Sequence, residues 1–147
     1  HFPDSLQYKT KKGKIVYGGG GIMPEVFVPM DTLGYTDYYS KLINKGILYD
    51  FAFNFVDTNR ESLKACKSID ECITTLKNKK VASKLIEYAS KKGLPANQSQ
   101  ITISKQNIET QLYAYIVRNI YNDKAFYMIV NKNDTNIKTA LQQFYKK

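Results

Sequence analysis

The chain has 147 residues, of which 43% are hydrophobic and 24% are charged, the balance of a folded domain rather than of a disordered tail. Lysine and arginine total 22 against 13 acidic residues, so the net charge is +9. No apolar run approaches the roughly 18 residues that a membrane span needs. These values exclude a membrane segment and a low-complexity tail, and the length suits one domain or one domain with a short appendage.

The sequence begins His1-Phe2-Pro3-Asp4, with no initiator methionine and no signal-peptide pattern. We therefore expect a piece of a longer protein. Under this expectation, residues that carry the chemistry of the whole protein can lie outside the chain.

The basic charge is compatible with an acidic partner such as nucleic acid or an anionic lipid surface. Only Arg60 and Arg118 are arginines, although specific recognition of phosphates and bases favours the arginine fork. The remaining basic residues are lysines scattered along the chain. We therefore expect no specific nucleic-acid partner and interpret most lysines as solvated surface.

Residues able to carry chemistry are few. The one histidine, His1, argues against a Ser-His-Asp triad, and together with two cysteines it cannot supply spaced zinc ligands. The four glycines 18–21 lack the spacing of a phosphate loop, because Ile22-Met23-Pro24 follow them and proline has no N–H to offer a phosphate. The residues therefore predict no catalytic, cofactor-binding or metal site.

Cys66 and Cys72 are six positions apart, so on one continuous helix they would point to different faces. Ser68 and Glu71 fit a capping box, which predicts a helix break between the two cysteines. Two states stay open, a disulfide or a pair of free buried thiols, and free thiols are favoured.

The composition changes at about Asp31, from glycine-rich β-forming sequence to helical pattern. A hairpin is predicted with arms at 6–10 and 14–17 around a turn at 11–13, followed by a short strand at 25–28 that Pro29 ends. About six helices are predicted after it. The first helix starts at Thr36 or Asp37 and ends at Gly46, and the second runs from Ile47 to about Lys67. The third starts after Ser68, and the fourth covers Val81 to Ala89 and stops at Gly93.

A loop is predicted over 96–103, with Ser104 as the cap of the next helix. Residues 126–130 fit a short helix or a strand equally well. Asp134 is predicted to cap the last helix, with its apolar side chains directed inward, namely Ile137, Ala140, Leu141 and Phe144. The predicted fold class is mainly α with a small N-terminal β-hairpin. Most of the 12 tyrosines and 7 phenylalanines are assigned to the core rather than to base stacking.

Two stretches, residues 10–16 (Thr-Lys-Lys-Gly-Lys-Ile-Val) and 19–28 (Gly-Gly-Gly-Ile-Met-Pro-Glu-Val-Phe-Val), resemble a segment of the C-terminal processing (tail-specific) serine peptidases. In that family a Thr-Pro-Ser-Gly-Arg-like turn leads through Gly-x-Gly-Ile-x-Pro-Asp into a short strand. The continuation to Thr32 is similar to the branch found in Bacteroidetes-type bacteria, as are 50–53, 57–60 and 108–123. Lys14 and Glu25 replace the usual Arg and Asp and keep their charge.

The resemblance implies an enzyme with a serine nucleophile and a lysine general base. Its motifs, a Gly-Ser-Ala-Ser-like turn and a Phe-Gly-Lys-Gly-like strand, do not occur in this chain, so no residue here is assigned a catalytic role. Residues 1–31 would be the last β-elements of the catalytic domain. Residues 32–147 would be a helical accessory domain that does not hydrolyse peptide bonds alone.

The resemblance also implies partners and a location. The partners would be a protein or peptide substrate of the parent enzyme and its own catalytic domain, in the periplasm or cell envelope of a Gram-negative bacterium. One alternative is a basic helical module that binds nucleic acid, anionic lipid or an envelope partner. Another is that orphaned strands within 1–31 pair between two chains and form a homodimer.

Overall fold

The computed structural model describes residues 7–11, 13, 15–18 and 26–145. These residues form seven α-helices and one two-stranded antiparallel sheet, which confirms the predicted fold class. The chain divides into two compact units, His1–Met30 (the hairpin unit) and Asp31–Lys147 (the helical unit). Among the residues that the structure describes, no helix is both long enough and apolar enough to span a bilayer.

The hairpin unit contains strands β1 (Gln7–Lys9) and β2 (Ile15–Tyr17), which pair in antiparallel fashion as predicted. Tyr8 lies opposite Val16 in the register. In the turn, the Gly13 N–H donates to the Thr10 carbonyl at 2.8 Å, and Gly13 has a φ of +79°, which favours glycine. This hydrogen bond and the glycine in the turn therefore explain why the two strands form a hairpin.

The strand predicted over 25–28 does not form at the described positions 26–28, which are irregular. A strand needs a hydrogen-bonding partner, and the two described strands of this unit pair with each other. Glu25 and the glycines 19–21 lie outside the described residues, as does His1.

Among the described residues, the helical unit contains seven helices, most of which begin close to the predicted positions, although α5 begins earlier than predicted. They are α1 (Asp37–Asn44), α2 (Ile47–Lys64), α3 (Ile69–Asn78), α4 (Val81–Lys91), α5 (Gln98–Ile120), α6 (Asp123–Val130) and α7 (Thr135–Tyr145), with a 3₁₀ turn, Asn131–Asn133, before the last. The undecided segment 126–130 is thus helical. The long helix α5 packs against α1, α2, α3, α4 and α6, so it is the centre of the unit.

Local capping explains most helix ends. The Thr36 hydroxyl accepts from the Tyr39 N–H at the start of α1, and the Ser68 hydroxyl accepts from the Glu71 N–H at the start of α3. At the end of α4, Gly93 has a φ of +81° and the Leu94 N–H donates to the Ala89 carbonyl at 2.9 Å. These caps confirm the predicted break after Cys66 and the predicted glycine stop.

The prediction that Ser104 caps a helix is wrong. Asn97 is the cap of α5, its side chain accepting from the Gln100 N–H at 3.1 Å, so residues 98–103 are helical rather than a loop. Ser104 has no exposed surface and lies on the inward face between Ile101 and Ile108. A polar residue at an inward position interrupts the apolar periodicity. The sequence pattern therefore did not indicate the first turns of α5.

The prediction for the last helix is right about its start and wrong about its packing. The Asp134 carboxylate accepts from the Ile137 N–H at 3.0 Å, so it caps α7. None of the α7 side chains is buried, and Leu141 and Phe144 are 51% and 76% exposed. An apolar stripe identifies one face of a helix, but it does not show that another element covers that face.

The core of the helical unit consists of apolar side chains from α1 to α6. The largest of those with essentially no exposed surface are Leu42, Leu48, Leu63, Leu76, Leu85, Ile108, Leu112 and Ile116. The assignment of aromatic residues to the core holds for Phe51, which contacts Phe55 and Tyr88 with ring centroids 5.8 and 5.5 Å away. It fails for Tyr127 and Tyr145, which are 59% and 85% exposed.

Candidate functional site

A groove of about 400 Å³, here groove A, lies between residues 31–35, α5 and the 3₁₀ turn. Helix α5 contributes positions spaced three and four apart, which lie on one face of a helix. The lining is rich in side-chain amides and hydroxyls, with Gln106, Asn107, Thr110, Gln111 and Asn133. Such a surface can donate and accept several hydrogen bonds at once.

One wall of groove A is held by a side chain from α5. The Asn107 amide nitrogen donates to the Leu33 carbonyl at 3.1 Å, and the Leu33 N–H donates to the Asp31 carboxylate at 2.9 Å. Gly34 has a φ of +74°, and a Cβ at this position would lie 2.8 Å from the Asn107 amide nitrogen. The backbone therefore favours glycine, and a Cβ at this position would require the Asn107 amide to move.

A second groove of about 530 Å³, here groove B, lies on the other side of the same α5 face, beside α3 and α6. Three lysines line it, Lys77, Lys105 and Lys132, together with one carboxylate, Glu109. The Lys132 ammonium is 4.0 Å from the Asp70 carboxylate, a long and exposed ion pair. Groove B therefore presents a net positive lining that would favour an anionic group.

The two grooves share the α5 side chains Ile103, Gln106 and Thr110, and Ile103 is 62% exposed. Together they form a surface with an apolar centre, an amide-rich side and a basic side. An extended ligand with an apolar residue next to an anionic group would match this order. This combined surface is the candidate functional site.

Each groove contains a tyrosine that stays protonated. Burial raises the pKa of Tyr39 in groove A to about 12, with smaller contributions from Tyr35 and Tyr115. Burial and the nearby Glu109 carboxylate raise the pKa of Tyr113 in groove B to about 12. At neutral pH both phenols are hydrogen-bonding groups rather than anions.

Hydrogen bonding and charge pairing are the chemistry that the lining supplies. Among the described residues, no group of three or more His, Cys, Asp or Glu side chains could hold a metal ion. Cys66 and Cys72, which the sequence singled out, are both buried free thiols and line neither groove. The amides, hydroxyls and ammonium groups of the lining are suited to binding.

The amides of groove A did not stand out in the sequence. The sequence did contain a partial indication of this polar face, because Gln106, Asn107 and Gln111 lie on the helix predicted after Ser104. The partners of this face come from residues 31–35 and 131–134, far away in the chain, so the sequence did not indicate a groove.

Residues 38–122, more than half of the chain, match a family of unknown function, DUF8443. The chain belongs to this family. The DUF8443 match runs from α1 through α5 to the cap of α6, so it contains the α5 face that both grooves share. Residues 31–35 and the 3₁₀ turn lie outside it. No match to the chain was found among curated proteins or among solved structures.

Proposed function

We propose that this chain is the C-terminal region of a serine-type C-terminal processing peptidase, with the helical unit as an accessory domain that has no peptidase activity of its own. The resemblance over residues 10–32 carries the proposal. The serine nucleophile and the lysine base would lie upstream, in the motifs that this chain lacks.

The surface of the hairpin unit supports this proposal. Several of its described apolar side chains are exposed, with Tyr8 at 59%, Phe27 at 80% and Met30 at 83%, whereas Val16, Tyr17 and Val28 are half-buried. A two-stranded hairpin is marginally stable alone, and the edge strands of a sheet can pair with further strands. The sheet of a catalytic domain would supply both the missing strands and the cover for these side chains.

The helical unit supports the accessory role. It has a core of its own, and its candidate site offers amides, hydroxyls and ammonium groups arranged for binding. A polypeptide contains apolar side chains, amides and a terminal carboxylate, which are the groups that the combined surface complements. A role in holding the catalytic domain or a protein partner follows from that chemistry.

A peptidase assay tests the proposal. The 147-residue chain and the parent protein from the surrounding reading frame are each incubated with a peptide that has an apolar free C-terminus. Cleavage by the parent only, abolished when the serine of its Gly-Ser-Ala-Ser-like motif becomes alanine, is the expected result. Cleavage by the 147-residue chain, or a reading frame without the serine and lysine motifs, would overturn the proposal.

A matched pair of variants tests the assignment of the hairpin unit. Phe27 and Phe53 are both exposed, at 80% and 46%, but Phe53 belongs to α2. In the 147-residue chain, Phe27→Ser and Phe53→Ser should both leave the melting temperature nearly unchanged. In the parent enzyme only Phe27→Ser should lower it, and equal effects of the two variants would contradict burial of Phe27 on a catalytic sheet.

The lysines of groove B favour a second candidate function, binding of an anionic partner such as nucleic acid, anionic lipid or an acidic envelope component. A Lys77→Gln/Lys105→Gln/Lys132→Gln variant should then lose binding to anionic vesicles or to single-stranded nucleic acid. The Lys84→Gln/Lys91→Gln/Lys92→Gln variant is the matched control, because it removes the same number of charges from α4 and its C-terminal end. Electrostatic binding should weaken steeply as salt rises, and the absence of binding at low salt would remove this candidate.

Homodimerisation through residues 1–31 is a further proposal, since edge strands can pair between two chains. Sedimentation of the full chain should then show a dimer that Tyr8→Lys dissociates and Tyr127→Lys does not. A monomer at all concentrations would contradict it.

A further inference from the structure

Cys66 and Cys72 lie on either side of the junction between α2 and α3. The Cys66 N–H donates to the Leu63 carbonyl at 3.2 Å just after α2 ends, and Cys72 lies in the first turns of α3. Cys66 is 8% exposed, Cys72 has no exposed surface, and both are free thiols. The junction therefore encloses two thiols in one buried site.

The two sulfur atoms share the same space. The Cys66 sulfur lies 4.0 Å from the Ser62 carbonyl oxygen and 4.0 Å from the Thr75 hydroxyl oxygen, and its one S–H can donate to either of them. Thr75 is three residues after Cys72, so the Cys66 sulfur lies against the face of α3 that carries Cys72. Cys66 is also close enough to Cys72 to contribute to the raised pKa of the Cys72 thiol.

The backbone around Cys66 is fixed by contacts on both sides of the junction. The Tyr121 hydroxyl donates to the Cys66 carbonyl at 2.9 Å, and the Lys67 N–H donates to the Glu71 carboxylate at 2.8 Å. These contacts turn the chain between the helices so that residues six apart in sequence face each other. A continuous helix would have separated them.

We propose that Cys66 and Cys72 are the site of an intramolecular disulfide bond that links the end of α2 to the start of α3. The bond needs an oxidant, which is a low-molecular-weight disulfide or the disulfide of a thiol oxidoreductase. The proposal is independent of the peptidase assignment.

The reaction proceeds in two exchanges. The Cys66 thiolate attacks one sulfur of the oxidant, which breaks the oxidant disulfide, forms a mixed disulfide on Cys66 and releases one thiolate. The Cys72 thiolate then attacks the Cys66 sulfur, forms the Cys66–Cys72 bond and releases the second thiolate. The two cysteines lose two electrons and two protons, and the oxidant is reduced to two thiols.

The order of attack follows from burial. Burial, together with the neighbouring Cys66, raises the pKa of Cys72 to about 12, whereas Cys66 keeps some exposed surface. The first exchange therefore takes place at Cys66. Cys72 reacts second, with a sulfur that is already beside it.

Intact-mass measurement of the native full chain after incubation with oxidised glutathione tests the proposal. The expected product has lost two hydrogens, resists alkylation after denaturation, and melts roughly 5 °C higher than the reduced chain. Cys72→Ser should accumulate a glutathione adduct on Cys66, and Cys66→Ser should react far more slowly. Serine is close in size to cysteine, so both variants are compared by their melting temperatures first.

The same oxidation in urea is the control, because the unfolded chain exposes both thiols to the oxidant. If the chain forms the intramolecular bond in urea but keeps two alkylatable thiols or a stable glutathione adduct when folded, the proposal is overturned. That readout uses the natural sequence and does not depend on how the serine variants fold.

Discussion

The side-chain oxygens of Thr36 and Ser104 lie 2.7 Å apart and join the cap of α1 to the interior of α5. Helix α5 also supplies the Gln100 side-chain carbonyl, which accepts from the Tyr38 N–H at 2.7 Å. The first turn of α1 is thus capped by Thr36 and by a residue of α5. This explains how a helix of 8 residues is held in place beside groove A.

We expect Thr36→Val to lower the free energy of unfolding by about 2 kcal/mol. The change removes a helix cap and deprives the fully buried Ser104 hydroxyl of its partner. Thr36→Ser keeps the hydroxyl and should cost less than about 0.5 kcal/mol. Urea unfolding followed by circular dichroism measures both, and equal costs for valine and serine would contradict the hydrogen-bonded role.

The contrast between Ser68 and Ser104 shows which parts of the fold could be predicted. Ser68 caps a residue three positions away, so its role is encoded in adjacent sequence. The partner of Ser104 is 68 positions away, and no local pattern announces it. The hairpin turn, the Thr36, Ser68 and Asp134 caps and the glycine stops therefore followed from the sequence. The start of α5 did not, although its cap Asn97 also bonds three positions away, because Ser104 matches the residue type of a helix cap as well.

The candidate site shows the same division. The α5 side chains of both grooves from Lys105 onwards follow the helical period and could be placed on one face, whereas Ile103 lies in the predicted loop. The walls from residues 31–35 and 131–134 reach that face only through tertiary contacts, of which the Asn107–Leu33 hydrogen bond is an example. The sequence also did not predict that the apolar side chains of α7 are exposed, because an apolar stripe does not determine which other element packs against it.

A leucine pair tests the exposure of α7. Leu112 of α5 has no exposed surface, and Leu141 of α7 is 51% exposed. Leu112→Ala should destabilise the chain by about 2–5 kcal/mol through lost burial and a cavity, and Leu141→Ala by less than about 0.5 kcal/mol. Chemical denaturation measures the pair. A cost above about 2 kcal/mol for Leu141→Ala would show that α7 is packed in solution.

Gly34 and Gly93 both have a positive φ, and replacing each by alanine distinguishes the stability cost of backbone strain from that of steric crowding. Gly93→Ala meets open space, so it should cost about 1 kcal/mol from the left-handed backbone alone. Gly34→Ala also meets the Asn107 amide at 2.8 Å and should cost more, about 2 kcal/mol.

The Asn107→Ala background is the control for this pair. There the crowding at position 34 is relieved, so the additional cost of Gly34→Ala should fall towards that of Gly93→Ala. A double-mutant cycle measures the difference. A cycle that shows no coupling between positions 34 and 107 would contradict the contact that holds the wall of groove A.

Alkaline pH should destabilise the helical unit through its buried tyrosines. The pKa of Tyr39 and of Tyr113 is raised to about 12 when folded, and tyrosine in an unfolded chain ionises near pH 10. Above about pH 10 the unfolded state therefore binds fewer protons than the folded state, and the free energy of unfolding falls as pH rises. The stabilising contribution is complete below pH 10 and is lost as pH rises towards 12.

Urea unfolding between pH 9 and 11 measures this slope. Tyr39→Phe and Tyr113→Phe should each make it shallower, and the double variant shallower still, because each removes one phenol whose pKa differs between the two states. Phe55→Leu is the matched control, since it perturbs the same core without removing an ionisable group and should lower stability equally at every pH. An unchanged slope in the double variant would show that these phenols are not buried in solution.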